Sequence, residues 1–526
     1  MFDTIITGGT IIDGTGADRF LGDIGINGDK IETIGDLKEA SAHETIDASG
    51  RIVAPGFVDV HNHSDGWMLK QTHLPAKTMQ GFTTEVLAAD GISYAPVNEH
   101  TWREWFFYLR SLNAMKMDEY RGWSSLEEYM LEIDGNNVQN AMTHIPYANL
   151  RALARGFGRG RVDDYQMREI KRLIHEGMQQ GAVGVSTGLD YIVQCFSTTD
   201  ELAEACSAMA EYGGIYVTHV RYKMGLLPAI KEAVEIGKRA NVGVHISHLK
   251  GQHDGEIEEV LSYIDNVASN EVAFSYDVYP YQRGSTMLNY LLPYDFWEDG
   301  PMAALGKMQD PRLRARFRDG LKANRLEVDK LRIAWVGSKE NACHQGKLLS
   351  EYIDEIGTDP EEALFNFLID EALAVLLVFN EGVDDLIYPL LQHDAAIIGT
   401  DGIFFADSTI HPRAYGSAGR ILGPLVREKS LFSHEQAVYK LSGHAAKVFG
   451  LKNRSILRQG NFADVVVFNP ETVTDCAHYD DPHQYTRGVD HVLVNGCAIV
   501  KDGRPIMDYE SPLPGRFVRC QRKASD

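Results

Sequence analysis

The chain has 526 residues and a formal net charge of −23, from 51 lysines and arginines against 74 aspartates and glutamates. Hydrophobic residues make up 44% and charged residues 24% of it, values typical of globular proteins that argue against a disordered or collagen-like chain. Because the net charge repels polyanions, we expect neither nucleic acid nor an anionic membrane as a partner.

The six cysteines are dispersed and form no C-x-x-C pair, which favours a reducing compartment. The sequence starts without the cationic and apolar segments of a signal peptide. Its longest apolar run, 372–379, is far shorter than the ~20 residues of a membrane span. These features predict a soluble, cytoplasmic protein. Whether it forms a homo-oligomer is left open.

Both ends of the chain are rich in short strands. The first fifty residues alternate apolar runs with Gly and Asp-Gly turns, and the same pattern returns at 464–468, 491–496 and 498–503. Because the two ends of a domain often lie close together, we expect residues 1–56 and 452–526 to form one small β-sandwich domain.

In the middle, apolar strands alternate with helical stretches, a pattern typical of parallel βα units. The strand candidates are 57–60, 83–88, 141–145, 183–186, 215–218, 242–247, 272–277 and 395–399. Eight such units close a TIM-like (β/α)8 barrel, so an α/β fold with a barrel over 57–451 is predicted. The long gap after the seventh strand predicts an insertion at 285–340, which we expect to cover the barrel mouth as a lid.

Ligand-type side chains follow the predicted strands, at the end where barrel enzymes place their active sites. His61 and His63 come after the first strand, and strand alternation turns both imidazoles to one side. The other strand ends carry Asp90, His219, His248 and Asp401. Four imidazoles and two carboxylates suit one or two zinc-like divalent ions.

Two plainer interpretations stay open. A single strand-end histidine often makes a structural hydrogen bond, and polar strand ends can simply face solvent at a barrel mouth. A non-catalytic, self-assembling scaffold is a third possibility, although such a protein would be free to lose ligands and this chain keeps metal-competent residues at all six positions.

The motifs around these residues resemble those of the amidohydrolase superfamily and, more closely, the N-acyl-D-amino-acid deacylase (D-aminoacylase) family. The matching stretches are 56–65 (GFVDVHNHSD), 81–84 (GFTT), 90–93 (DGIS), 184–191 (GVSTGLDY), 218–221 (THVR), 247–250 (SHLK), 277–281 (DVYPY), 399–402 (GTDG) and 411–416 (HPRAYG). They extend over nearly the whole chain. The resemblance implies a metal-dependent barrel joined to a small β domain, with an insertion after the seventh strand.

The resemblance also implies roles for individual residues. His219 and His248 would hold a tightly bound zinc with Asp90, and His61 and His63 would belong to a second, weaker metal position. Asp401 would be the general base and acid beside the attacking water, and near the metals. The residues matching positions at or near the substrate carboxylate are Lys250, Tyr191, Tyr281 and Arg413. Tyr279 is interpreted as barrel packing.

Two positions depart from the family pattern. Asp90 stands where the family usually has cysteine, and Tyr147 where it usually has histidine. A carboxylate is a harder ligand than a thiolate, so the site is expected to accept Mn²⁺, Co²⁺ or Fe²⁺ as well as Zn²⁺.

The sequence therefore predicts a hydrolase that cleaves the amide bond of an N-acyl-D-amino acid, or a similar anionic amide, with metal-activated water. The alternative is a cyclic amide or ureide hydrolase of the hydantoinase and dihydroorotase type. Those relatives commonly carry a carboxylated lysine on the middle strands, where 142–147 and 185–188 contain no lysine here.

Overall fold

The computed structural model describes residues 1–323 and 327–522. Residues 324–326 of the predicted insertion and 523–526 of the predicted β domain therefore lie outside the described residues.

The described strands, in chain order, are β1 Phe2–Ile11, β2 Phe20–Asn27, β3 Lys30–Gly35, β4 Ala42–Asp47, β5 Ile52–Pro55, β6 Phe57–Asp59, β7 Phe82–Leu87, β8 Asn140–Thr143, β9 Ile145–Pro146, β10 Gly184–Gly188, β11 Ile215–His219, β12 Gly243–Ile246, β13 Phe274–Val278, β14 Ser285–Met287, β15 Leu331–Val336, β16 Val375–Phe379, β17 Ala396–Ile398, β18 Val465–Phe468, β19 Val489–Val494, β20 Cys497–Lys501 and β21 Arg504–Pro505.

The described α-helices are α1 Asp65–Lys70, α2 Pro75–Thr78, α3 Trp102–Tyr108, α4 Leu126–Leu131, α5 Tyr147–Arg155, α6 Asp164–Gln179, α7 Thr199–Cys206, α8 Leu226–Ala240, α9 Asp254–Tyr263, α10 Ser269–Glu271, α11 Pro301–Lys307, α12 Pro311–Ala323, α13 Leu349–Ile356, α14 Pro360–Asp370, α15 Tyr388–Gln392, α16 Arg413–Leu422, α17 Pro424–Arg427, α18 His434–Leu441 and α19 Gly443–Phe449.

Nine parallel strands lie in two sheets, which together are called the ring. They make eight segments, because β8 and β9 count as one interrupted segment. β6, β7 and β8 form one sheet, and β9, β10, β11, β12, β13 and β17 form another. Only His144 separates β8 from β9, and a parallel bridge between Asn62 and Gly402 joins the outer ends of the two sheets. Each of the eight predicted strand ranges overlaps one of these segments. The α/β class is confirmed, and all the strand ends that carry predicted ligands meet at one end of the ring.

The helices outside the ring follow from ordinary amphipathic spacing. In α8, the buried residues Leu226, Ala229, Ile230, Ala233 and Val234 recur at intervals of three and four, which gives one apolar face. The helix ends at Ala240 and is followed by Asn241, whose φ of 56° lies in the left-handed region that such caps favour. Burying this face holds the helix against the following strand β12 and the neighbouring helix α7.

The two ends of the chain share one nine-stranded sheet. Its order is β21-β20-β19-β18-β5-β1-β2-β3, and β4 pairs with β1. β5 from the start of the chain runs antiparallel to β18 from near its end, with Ile52 opposite Phe468. The last described segment leaves this sheet, because the backbone of Arg516 and Val518 hydrogen-bonds to Ala141 at the start of β8.

The region after β13 builds a small antiparallel sheet of its own, in the order β14-β16-β15. It continues past the predicted residue 340, because the central strand β16 ends at Phe379. Among the described residues, no helix combines the length and the apolar character needed to cross a bilayer. The cytoplasmic location stays a prediction.

Candidate active site

The six predicted metal ligands meet at one end of the ring. Nε2 of His61 lies 3.6 Å from Oδ1 of Asp90 and 3.8 Å from Oδ1 of Asp401. Nε2 of His63 lies 3.2 Å from Oδ1 of Asp401 and 3.8 Å from Oδ2 of Asp90. Nε2 of His248 lies 3.8 Å from Oδ1 of Asp90 and 2.9 Å from Nδ1 of His219. We call these six residues the ligand cluster.

The ligand cluster fits a divalent cation. Nε2 of His61 and Oδ1 of Asp90 are buried and have no hydrogen-bond partner among the described residues. A buried polar atom left unpaired is costly, and one cation that replaces the proton on His61 would bind both atoms. Ligand atoms around a tetrahedral zinc lie about 3.4 Å apart, close to the separations within the cluster. Three overlapping triads are compact enough: His61, His248 and Asp401; His61, His63 and Asp90; Asp90, His219 and His248.

Three of the ligands have left-handed backbone conformations. The φ angles are 57° at Asp90, 37° at His248 and 49° at Asp401. Aspartate and histidine tolerate this region better than most residues, and each of the three lies two or three residues after the end of a ring strand. Such strain persists where the surrounding structure requires it, which is common at functional sites.

Asp277, near the end of β13, contacts both His61 and His248 of the ligand cluster. Its Oδ2 lies 3.4 Å from Nδ1 of His61 and 3.0 Å from Nε2 of His245, and its Oδ1 accepts the backbone N–H of His248 at 2.9 Å. Burial opposes ionisation, but the two histidines hold the pKa of Asp277 well below its usual range. Asp277 therefore orients His61 as an ionised carboxylate.

Asp190 makes the equivalent contact on the other side of the cluster. Its Oδ2 lies 3.4 Å from Nε2 of His219 and accepts the hydroxyl of Tyr290 at 3.1 Å. Its Oδ1 accepts the hydroxyl of Tyr294 at 2.7 Å. Both tyrosines lie in the region after β13, so this region buttresses a ligand histidine. Nδ1 of His219 is left to face the cluster.

The charges in the cluster shift the pKa values of His61 and His248 in opposite directions. Burial disfavours charge on His61, but Asp277, Asp90 and Asp401 together raise its pKa to about 10. Burial and the neighbouring His219 lower the pKa of His248 to about 3. The acidic side chains therefore attract a cation to the His61 side of the cluster.

A cavity of about 250 Å³ opens onto the ligand cluster. Its lining includes His63, Asp90, His219, His248 and Asp401 together with Tyr191, Lys250, Tyr279, Tyr290 and Phe379. The ammonium of Lys250 donates to the carbonyl of Arg283 at 2.6 Å and lies 3.9 Å from the centre of the Tyr279 ring. Burial lowers its pKa well below the usual value, and no described carboxylate pairs with it. An anionic ligand would supply the missing charge.

The other predicted substrate residues differ in position. Tyr191 lines the cavity, with its ring 4.7 Å from that of His219. Arg413 is 1% exposed and pairs through Nη1 with Oδ2 of Asp401 at 2.8 Å. Burial opposes ionisation of Asp401, but Arg413 holds its pKa well below the usual range. Tyr281 is not among the residues that line the cavity, and its hydroxyl donates to Asp475 at 3.3 Å.

Tyr279, rather than Tyr281, belongs to the cavity wall. It lines the cavity, and its hydroxyl accepts a hydrogen bond from Nη1 of Arg413. The interpretation of Tyr279 as barrel packing is thus corrected, since alternation along β13 turns Tyr279 to the same side as Asp277. Asp190 was also missed, although it lies in the 184–191 stretch after a ring strand. Asp277 also lies near the end of a predicted strand, and this position could have marked it as a site residue in the same way as the six residues of the ligand cluster.

The ring with its ligand cluster and cavity defines the class of protein as an amidohydrolase. An "Amidohydrolase family" model matches residues 44–271. The chain is 32% identical to the D-aminoacylase of Alcaligenes xylosoxydans xylosoxydans, covering 95% of this chain and 94% of that protein. It is also 32% identical to the N-acyl-D-glutamate deacylase of the same organism, covering 98% and 96%.

A solved structure gives the same picture. The N-acyl-D-glutamate deacylase from Bordetella bronchiseptica, complexed with zinc and a phosphonate inhibitor, superposes with a TM-score of 0.83 at 30% identity, covering 98% of this chain and 99% of that one. The chain therefore belongs to the N-acyl-D-amino-acid deacylase (D-aminoacylase) family, whose members are hydrolases acting on amide C–N bonds.

Proposed function

We propose that this protein hydrolyses N-acyl-D-amino acids to a carboxylate and a free D-amino acid in a metal-dependent reaction. The observation that carries the proposal is a cluster of buried His and Asp side chains, two of whose atoms lack hydrogen-bond partners, opening into a cavity that also contains Lys250, which has no described carboxylate partner. The full-length similarity to D-aminoacylase and N-acyl-D-glutamate deacylase supports the acyl-D-amino-acid class.

The proposal includes the finer architecture. The closed pairing of eight parallel segments supports a (β/α)8 barrel over residues 57–451. The shared sheet supports a β-sandwich domain formed by residues 1–56 and 452–526. Residues 285–340 are proposed to act as a lid, because Tyr290 and Tyr294 contact Asp190 beside the cavity.

The metal is proposed to be Zn²⁺, with Mn²⁺, Co²⁺ or Fe²⁺ accepted because Asp90 is a hard ligand. His219, His248 and Asp90 would hold one ion, and His61 and His63 with Asp401 would hold a second. A divalent ion bound there supplies Lewis-acid polarisation of the amide carbonyl and makes water more acidic.

Asp401 is proposed to take the proton of the attacking water and to return it to the leaving nitrogen. One proton is taken and one is given, so the carboxylate is regenerated with each turnover. Arg413 holds Oδ2 of Asp401 at 2.8 Å, which leaves Oδ1 directed towards His63 and the cavity. We assign Arg413 this positioning role in addition to its proposed place near the substrate carboxylate.

Lys250 and Tyr191 are proposed to bind the substrate carboxylate within the cavity. The Lys250 ammonium is the cation that lacks a carboxylate partner there, and Tyr191 lies beside His219. Tyr281, with its hydroxyl on Asp475, is proposed to contribute by shaping the wall around His411, whose ring centre lies 5.4 Å from its own.

The test is hydrolysis by enzyme reconstituted separately with zinc, manganese and cobalt. The substrates are N-acetyl-D- and N-acetyl-L-amino acids with neutral and acidic side chains, hydantoin and dihydrouracil. We expect turnover of D-isomers only. If the enzyme binds metal and hydrolyses the cyclic amides but none of the acyl amino acids, the proposal is refuted in favour of the cyclic amidase alternative.

A further inference from the structure

A second cavity shares none of the described lining residues of the catalytic one. Its volume is about 370 Å³. We call it the aromatic cavity and define it by Trp67, Phe107, Arg110, Lys116, Trp335 and Phe405, which are among its lining residues. The reaction proposed above uses none of them.

The walls of the aromatic cavity are flat, rigid rings. Trp335 stacks on Phe405 with ring centres 3.9 Å apart and an angle of 18° between the planes. Trp67 meets Phe405 edge to face at 6.1 Å. Aromatic walls of this kind bury an apolar or aromatic ligand body with little loss of side-chain freedom.

The polar groups of the aromatic cavity are cations and donors. Lys70, Arg110 and Lys116 line it, and no described acidic residue does. Lys70 is paired with Glu119 at 2.9 Å. Arg110 and Lys116 form no ion pair within 4 Å of a described carboxylate, although the charge of Glu371 acts on Arg110 from a greater distance. In a protein of net charge −23, this local concentration of positive charge selects for an anion.

Two donors at the aromatic cavity are unsatisfied. Nη2 of Arg110 donates to the carbonyls of Glu371 and Ala372, but its Nε is buried and has no partner among the described residues. The indole Nε1 of Trp67 is likewise buried without a described partner. Both residues line the aromatic cavity, so its walls carry donor groups, which suit a ligand with acceptor oxygens.

From these observations we infer that the aromatic cavity is a binding site for an amphipathic carboxylate, whose aryl or alkyl body lies between Trp67, Trp335 and Phe405 and whose carboxylate meets Arg110 and Lys116. A cation or a neutral polar molecule fits the charges less well. A purely apolar molecule would leave the donors unpaired.

Calorimetric titration of the full, metal-loaded chain tests this site. The probes are phenylacetate and phenylacetamide, which share a shape and differ in charge. We expect phenylacetate to bind about tenfold more tightly, because charge-assisted hydrogen bonds are stronger than neutral ones. Equal affinity for the two probes, or no binding at millimolar concentration, would overturn the inference.

Variants locate the bound probe. Lys116→Gln, at an exposed residue, and Arg110→Gln should each weaken phenylacetate and leave phenylacetamide unchanged. Lys38→Gln removes the same charge from a distant side chain that is 81% exposed, and should change nothing. Lys250→Met should also leave binding intact. Loss of binding in Lys250→Met with retention in Lys116→Gln would place the probe in the catalytic cavity instead. If Arg110→Gln fails to fold, Lys116→Gln still decides.

Discussion

Asp277 holds His61 from the side opposite the ligand cluster. Oδ2 of Asp277 lies 3.4 Å from Nδ1 of His61, whereas Nε2 of the same ring faces Asp90 at 3.6 Å. A carboxylate on one nitrogen of an imidazole fixes the tautomer and directs the lone pair of the other nitrogen. The backbone N–H of His248 donates to the same carboxylate. One residue outside the cluster therefore positions two predicted ligands.

We expect Asp277→Asn to lower metal affinity about 10- to 100-fold, as removal of such a partner typically does. Competition with a chromogenic chelator measures the change. Asp354→Asn, at an exposed position on α13, is the matched control and should bind metal as the wild type does. Unchanged affinity in Asp277→Asn would show that His61 needs no help from Asp277.

Asp401→Asn should keep the fold and lower kcat by about 10²–10⁴, because an amide cannot accept the proton of water. Asp407→Asn is a close control, since Asp407 lies in the same loop and has a similar φ of 51° but an exposed side chain. Turnover numbers are compared at measured metal content. Wild-type kcat in a fully metallated Asp401→Asn enzyme would exclude the proposed base.

Replacement of Asp90 by cysteine should favour Zn²⁺ over Mn²⁺, because a thiolate is a softer ligand than a carboxylate. We expect the ratio of the two affinities to rise by about tenfold or more. Asp90→Asn removes the charge without adding a soft ligand, so it should weaken both metals. An unchanged ratio in Asp90→Cys would mean that residue 90 does not set the metal preference.

Lys250→Met should raise KM for an acyl amino acid about 100-fold, since the substrate carboxylate loses a charge-assisted contact in a buried cavity. The corresponding acyl amino acid amide, which lacks that charge, serves as the internal control. Its kcat/KM should differ little between wild type and variant. Equal losses for both substrates would indicate a structural defect rather than a lost carboxylate contact.

Glu85, on β7, predicts a pH dependence of stability. It is fully buried, with Lys77 3.3 Å away, and burial raises its pKa to about 7. Because the folded-state pKa lies above the unfolded one, the native state binds more protons, and stability falls as pH rises from about 4.5 to 7. Relative to wild type, Glu85→Gln should gain up to about 3 kcal/mol across this window.

Denaturant unfolding at pH 5, 6, 7 and 8 measures this gain. Titrating groups shared by wild type and variant cancel in the difference between the two proteins. Glu340→Gln, at an exposed position, should show no trend with pH. A difference between Glu85→Gln and wild type that stays constant from pH 5 to pH 8 would contradict the raised pKa.

The ligand cluster was accessible from sequence because strand ends in a βα repeat converge. His61, Asp90 and Asp401 each follow an apolar run, so recognising the strands was enough to bring them together. The partners of these residues were not accessible in the same way. Which histidine Asp277 contacts depends on how neighbouring strands pack, and no local pattern records that.

Two differences between the sequence-based expectations and the structure have local causes. β13 ends at Val278, directly before Tyr279, and Pro280 follows, so the direction of the Tyr281 side chain does not continue the alternation of the strand. The extent of the region after β13 was also hard to predict. Its central strand β16 pairs with Ser285 and Leu331, which are distant in the chain. Contacts of that kind leave little trace in sequence spacing.

The pairing of Ile52 with Phe468 has a consequence for how the molecule is made. β5 leaves the ribosome long before β18 exists, and at about 5–20 residues per second the delay is on the order of tens of seconds. During that interval β5 lacks one neighbour and exposes an apolar edge. The sheet is therefore completed only after β18 has been synthesised, and until then the edge of β5 stays unpaired.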